Sequence, residues 1–281
     1  MKKGNKWLYI PLTLTAFLVW WPLWFLLMGA MESPVELALT IGSAATGAEG
    51  QAHWSILPTW PTLAPLAELL LDTPEFLKTF WNTCLMTLPQ VTGQFLIATP
   101  AAWAFSRLRF RGRRALFTLY IILMLMPFQV MMTPNYLVLD TLGLMDTVWA
   151  VILPGVFSAF PVFIMTKSFD AIPRELQDAA NLDGANQWQI FRQIGLPLGR
   201  PGILAALVLT FLESWSAIEQ PMTFLGNEAY WPLSLVIPNV LMGDLAYAMG
   251  ASLVALAPAI VIFRFGQKYL ELGIQSSGLS S

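Results

Sequence analysis

Charge is what this chain of 281 residues has least of: Asp, Glu, Lys and Arg together make up 11% of it, against 56% hydrophobic residues. A soluble globular domain carries about 25% charged residues, so water is excluded as the solvent for most of this surface. Residues that carry chemistry are scarce too. The single cysteine, Cys84, excludes a disulfide within the chain. The single histidine, His53, reads as an ordinary surface residue and cannot make an H-E-x-x-H metal site, and neither a G-x-x-x-x-G-K-[ST] phosphate loop nor a Gly-x-Ser-x-Gly elbow occurs. An enzyme embedded in a membrane is thereby disfavoured. A net charge of −2 gives no basic surface for nucleic acid.

What is present is a series of long gaps between charges. None occurs between Lys6 and Glu32, between Lys78 and Arg107, between Arg114 and Asp140, between Asp146 and Lys167, or between Asp244 and Arg264. Each gap leaves room for a spanning helix, which needs about 20 mainly apolar residues. A sixth apolar stretch runs from Pro201 to about Met222, interrupted by Glu213 and Glu219. The predicted fold is an all-α membrane protein with six transmembrane helices. The run Trp7–Gly29 is too long and too rich in Trp for a secretory signal, and reads as an uncleaved anchor.

Basic residues accumulate on the cytoplasmic side of membrane proteins, and here they alternate with the spans. Lys2, Lys3 and Lys6 precede the first span, Arg107, Arg109, Arg111, Arg113 and Arg114 follow the second, and Lys167, Arg174, Arg192 and Arg200 lie between the fourth and fifth. Arg264 and Lys268 end the sixth, and Lys78 alone falls opposite. Both termini are therefore expected in the cytoplasm of a multi-pass protein. The expected organisation is 1–29 as N-terminus and first span, 30–77 as an external loop with short helical pieces such as 63–71, 78–270 as a five-helix core with an inward loop at 167–200, and 271–281 as a cytoplasmic tail.

The inward loop is patterned. Leu176, Ala179 and Ala180, then Ile190, Phe191 and Ile194, recur at three- and four-residue spacing and predict two short amphipathic helices. Pro173 suits the first turn of one, Asp183-Gly184 supplies a turn, and Pro197 and Pro201 are expected to close the other. By pattern alone, such a pair also fits helices lying on a membrane surface.

Glu175-Leu-Gln-Asp178-Ala179-Ala180-Asn-Leu-Asp183-Gly184-Ala185, followed by Ile194-Gly-Leu196-Pro197, resembles the cytoplasmic EAA loop of ABC importer permeases, in the form found in the sugar-importing branch. Asp178 stands where that family usually has Glu, which keeps the charge and shortens the arm. The stretches 142–154, 102–112 and 265–274 are similar to the maltose-type second permease subunit, so the resemblance covers roughly residues 8–275. It implies a type I ABC importer permease fold in a bacterial or archaeal cytoplasmic (inner) membrane. The implied partners are a second permease subunit, two cytoplasmic ABC ATPases and an external solute-binding protein. It further implies that Glu175, Asp178, Ala179, Ala180, Asp183, Gly184, Leu196 and Pro197 dock on an ATPase. ATP and Mg would bind those partner subunits, and this chain itself would hold no cofactor or metal. The cargo expected of this branch is a sugar, oligosaccharide or polyol.

Charged side chains inside a span are costly and usually face a cavity or a partner. Glu213, Trp215 and Glu219 are therefore candidates for a solute path, with Trp215 and Glu219 expected on one helical face at i, i+4. Asn82 joins them, although Asn82, Thr83 and Thr87 equally fit hydrogen bonds between helices. Glu219 at the outer interface and Glu213 against the other permease subunit is the plainer alternative. A stand-alone channel or ion-coupled carrier would also welcome intramembrane acids, but needs no EAA-like loop.

Overall fold

The computed structural model describes residues 9–42, 56–240 and 244–276. Lys2, Lys3, Lys6, His53 and the tail beyond residue 276 lie outside the described residues. Among those described there is no strand, and helices run nearly end to end. The chain divides into two compact units, one of residues 1–80 with 235–257 and one of 81–234 with 258–281.

In the first unit, α1 (Tyr9–Gly29) is apolar all round and almost wholly exposed, as expected of a helix solvated by lipid. α2 (Pro34–Thr40) starts in regular fashion: Pro34 takes the first turn and the Ser33 hydroxyl accepts from the Glu36 N–H at 3.2 Å. Glu36 Oε1 in turn accepts the Thr59 N–H at 2.6 Å, and that bond holds its carboxyl below the usual glutamate range. α3 (Ala64–Ala67) continues through a π turn at Glu68–Asp72, setting Leu66 and Leu69 against Gly250. The expected helical piece in the 30–77 segment is thus present. Phe76 meets Tyr247 edge to face at 6.3 Å.

The second unit holds the larger core. α4 (Pro74–Arg107) supplies most of its residues to this unit; with 34 residues it extends about 51 Å. Glu75 in its first turn and Arg107 in its last complement the helix dipole. α5 (Arg113–Leu125) and α6 (Phe128–Thr141) fill the third charge gap, but not as one straight helix, because they are bent by 109°. The cause lies at Met126-Pro127. A residue before proline is driven out of the α region, and Met126 sits at φ −73°, ψ 130°. α7 (Val148–Val156) and α8 (Ala159–Asp170) follow, then α9 (Arg174–Leu182) and α10 (Gln187–Ile190). α11 (Leu196–Trp215) and the short α12 (Glu219–Phe224) complete this part, and α13 (Leu233–Val240) and α14 (Leu245–Ser276) end the described chain.

Among the described residues, four stretches are long and apolar enough to cross a membrane: Tyr9–Gly29, Val148–Asp170, Gln187–Trp215 and Leu245–Glu271. The bent α5–α6 pair makes a fifth if it is one broken span. α4 has the length but not the hydropathy, because it carries Thr83, Thr87, Gln90, Gln94 and Thr99 buried along its length. The expected count of six is therefore not reached by length and composition alone.

Proline behaves differently from expectation at Pro197. The second short helix does not close there. Gln187 to Trp215 is one continuous helical stretch, passing through a π turn at Phe191–Gly195 in which the Leu196 N–H reaches back to the Phe191 carbonyl. Proline clashes with the carbonyl four residues back; the wider turn relieves that clash, and the helix runs on. At the other end the helix stops at Trp215, earlier than the apolar pattern indicated, and Ser216–Ile218 separate it from α12.

α8 and α11 pack closely in this core. A Cβ built on Gly199 would lie 2.3 Å from the Phe169 ring, and one on Gly202 2.1 Å from the Ser168 Cβ. Small residues let the two backbones approach to a distance that larger ones forbid.

Candidate functional site: an exposed helical hairpin and a buried polar row

The segment from Asp170 to Gly195 forms a hairpin of helices with a buried base and an exposed tip. Ile172, Ile190 and Phe191 belong to the same core as Phe169 and Trp103. Trp103 sits edge to face on Phe169 at 5.3 Å and tilts against Phe191 at 5.7 Å. The end of α4 fastens this base. Arg107 Nη2 donates to the carbonyls of Phe169 and Ile172, and Ser106 Oγ donates to Asp170 Oδ1 at 2.6 Å. Both carbonyls lie at or beyond the last turn of α8, where helical acceptors lack partners.

The bend itself is a Schellman motif. Gly184 has φ +82°, its N–H donates to the Asn181 carbonyl at 3.1 Å, and the Ala185 N–H donates to the Ala180 carbonyl at 3.0 Å. No atom lies within 4 Å of a Cβ placed on Gly184. Glycine is needed there for its backbone angle and not for space. α10 then starts from a capping box, Asn186 Oδ1 accepting from the Gln189 N–H and Gln189 Oε1 from the Asn186 N–H, each at 2.8 Å.

The expected apolar stripe on the first helix is only partly used. Ala180 packs on the core together with Ala185, Ile194 and Leu196, whereas Leu176 and Ala179 are exposed, as are Glu175, Asp178, Asp183 and Pro197. Leu182 is 90% exposed and Trp188 64%. α9 thus touches the core through Ala180 and turns most of its length outward. The hairpin presents three exposed acids, Glu175, Asp178 and Asp183, with a small side chain at Ala179 and large apolar ones at Leu176, Leu182 and Trp188, a combination suited to a cleft lined by basic and apolar groups.

The second constellation is a row of polar side chains on α4. Asn82 Nδ2 donates to the Ala229 and Trp231 carbonyls at 2.9 and 3.2 Å. Thr83 Oγ1 accepts the Leu233 N–H at 2.9 Å. Ser214 Oγ bonds Gln90 Oε1 at 3.1 Å and reaches Thr87 Oγ1 at 3.4 Å. Gln94 donates to the Gly155 carbonyl at 2.6 Å and accepts from Thr210 Oγ1. With periods of three and four, these residues make one face that ties α4 to α7 and α11. The sequence signal for Gln90 and Gln94, which were not among the expected polar positions, is the same three- and four-residue spacing continued beyond Thr87.

The four candidates for a solute path separate. Asn82 is buried and spent on two carbonyls. Trp215 is buried and stacks on Phe211 at 5.4 Å. Glu213 and Glu219 are exposed. The expected shared face of Trp215 and Glu219 does not form, because the helix ends between them; Glu219 Oε1 accepts from Gln129 at 2.8 Å instead. Among the described residues no cluster of three or more His, Cys, Asp or Glu is placed to hold a metal ion.

Residues 94–276 match the family model described as the binding-protein-dependent transport system inner membrane component. Among curated proteins, Protein LplC of Bacillus subtilis (strain 168) is 29% identical over 265 residues, covering 88% of this chain and 89% of that one. The lactose transport system permease protein LacG of Rhizobium radiobacter is 28% identical over 201 residues, 70% of this chain and 74% of that one. The arabinooligosaccharides transport system permease protein AraQ of Halalkalibacterium halodurans is 27% identical over 225 residues, covering 79% and 81%. A chain in the crystal structure of a bacterial ABC transporter involved in the import of the acidic polysaccharide alginate superposes with a TM-score of 0.77 at 22% identity, over 93% of this chain and 94% of that one. That likeness establishes a shared fold.

Proposed function

The chain belongs to the binding-protein-dependent transport system inner membrane component family, and we propose that it is one permease subunit of an ATP-driven importer for a sugar, oligosaccharide or polyol. The family supports a multi-pass membrane subunit that works with other components. The names of LacG and AraQ, which carry lactose and arabinooligosaccharides, support the cargo class.

In this reading the chain crosses the inner membrane six times with both termini in the cytoplasm, α4 being the second span and the α5–α6 pair the third. It forms half of a solute pathway whose other half is a second permease subunit. Two cytoplasmic ABC ATPases bind the ATP and Mg, an external solute-binding protein delivers the cargo, and this chain holds neither cofactor nor ATPase site. The observation that carries the proposal is the hairpin, exposed along Glu175, Asp178, Leu182 and Trp188 and fastened at its base by Arg107 and Trp103. It docks on an ATPase, and because its base shares one core with α8 and α11, a displacement of the tip is passed to the spans. ATP then supplies the difference in free energy between two conformations. Glu213 and Glu219 are the side chains left for solute or for the partner permease, since Asn82 and Trp215 are engaged in packing.

Reconstitution in liposomes tests this. Uptake is expected to require the ATPase subunits, ATP and the binding protein. Uptake by the permease alone would instead establish a channel or ion-coupled carrier.

A further inference from the structure

A cavity of about 730 Å³ opens in the second unit beside the turn between α4 and α5. Four arginines line it: Arg109 from the turn, Arg113 and Arg114 from the start of α5, and Arg174 from the start of α9. Asp170 is the one carboxylate in the lining, and it already accepts the Ser106 hydroxyl. Among the described residues none of the four guanidinium groups is paired with an acid; Arg113 Nη1 reaches only the Leu108 carbonyl, at 3.4 Å. Like charges gathered without counter-charges repel one another, and an anion between them relieves that repulsion. The start of α5 adds to this. Its N-cap is Gly112, which has no side chain to accept the first-turn N–H groups, and residues 112–115 form part of the cavity wall.

Apart from Thr166, the rest of the wall is aromatic, with Phe105, Phe110 and Phe117. Beyond it, Leu116, Leu119 and Leu123 stand exposed at i, i+3 and i+7 along α5. A soluble anion has no use for such a ridge, whereas an acyl chain attached to the anion would lie along it. We propose that this cavity is a binding site for the phosphate of an anionic phospholipid, with the acyl chain along α5. Basic pockets between transmembrane helices take charged lipid headgroups, and guanidinium groups hold phosphate oxygens with paired hydrogen bonds. Arg174 opens α9 directly after the hairpin's buried base, so the bound headgroup also steadies the hairpin. The proposal rests on membrane residence alone, not on the cargo or on ATPase docking.

The test uses the full chain, co-expressed with its partner subunits, purified in detergent, stripped of lipid and titrated while thermal unfolding is followed. Phosphatidylglycerol is expected to raise the unfolding midpoint, and phosphatidylcholine and inorganic phosphate are not. The variant R109Q/R114Q should bind phosphatidylglycerol about thirtyfold more weakly, from roughly tenfold per 1.4 kcal/mol and about 1 kcal/mol per basic residue. R109K/R114K, which keeps the charges, should lose much less, and R192Q, an exposed arginine outside the cavity, should behave as wild type. Equal stabilisation by inorganic phosphate would replace the lipid with a soluble phosphate. No response to phosphatidylglycerol, or an unchanged response in R109Q/R114Q, would overturn the site.

Discussion

Gly184 joins a backbone angle that side chains resist to a Cβ direction that is empty. Substitution there therefore acts on the chain's path alone. Gly184→Val should cost the turn about 1–2 kcal/mol and reduce ATP-coupled uptake, with the rest of the helix content unchanged by circular dichroism. Gly184→Asn, which tolerates the left-handed region better, should retain most uptake. Equal uptake by the valine variant would remove the hairpin from the coupling path. Gly199 is the opposite case, where the Phe169 ring occupies the Cβ position. Gly199→Leu should lower the thermal unfolding midpoint through overpacking, at about 1–3 kcal/mol. Both glycines were present in the sequence, but only Gly184 came with a neighbour, Asp183, that marked it as a turn. Nothing local announces that Gly199 faces an aromatic ring thirty positions earlier.

Between α4 and the hairpin the decisive contacts run from side chains to backbone. Removing the Arg107 donors should loosen the hairpin base, since a hydrogen bond to a charged group contributes about 1.5–3 kcal/mol. In Arg107→Ala, amide hydrogen exchange across 171–195 is expected to rise while that of α11 beyond Pro201 stays slow; unchanged exchange in the hairpin would mean that Trp103 packing alone holds it. The row on α4 calls for a double-mutant cycle. Gln94→Leu and Thr210→Val should couple by about 0.6 kcal/mol, and at most about 1.7, in thermal unfolding. Independent effects would show that the two side chains do not share their bond. Sequence spacing gave the helices of the hairpin, their order and the bend between them. It misplaced the end of the second, because a π turn that absorbs Pro197 is a matter of backbone geometry and not of residue type.

At the scale of the whole molecule, orientation is the property that charge statistics predict most directly. In a Cys84→Ser background, Trp60→Cys should react with an impermeant thiol reagent in intact cells, and Leu182→Cys only after the inner membrane is opened. Both positions are well exposed, so access and not burial decides the result. The reverse pattern would invert the topology and place the hairpin away from any cytoplasmic ATPase.

Hydropathy and charge spacing are sums over many residues, and such sums survive without knowledge of contacts. They determined that the chain is helical and membrane-resident, and the run from Glu175 to Pro197 pointed to its family. Other features depend on residues far apart in sequence meeting in space, and only the tertiary structure decided them. Arg107 closes α8 from sixty positions away, Gln94 bridges Gly155 and Thr210, and Asn82 and Trp215 are drawn into packing instead of standing open to a solute. The four arginines make the same point. All four, Arg109, Arg113, Arg114 and Arg174, read in sequence as markers of membrane side, in two separate inward segments. Folding brings Arg174 to the other three, and a cavity forms with no counter-charge of its own beyond Asp170.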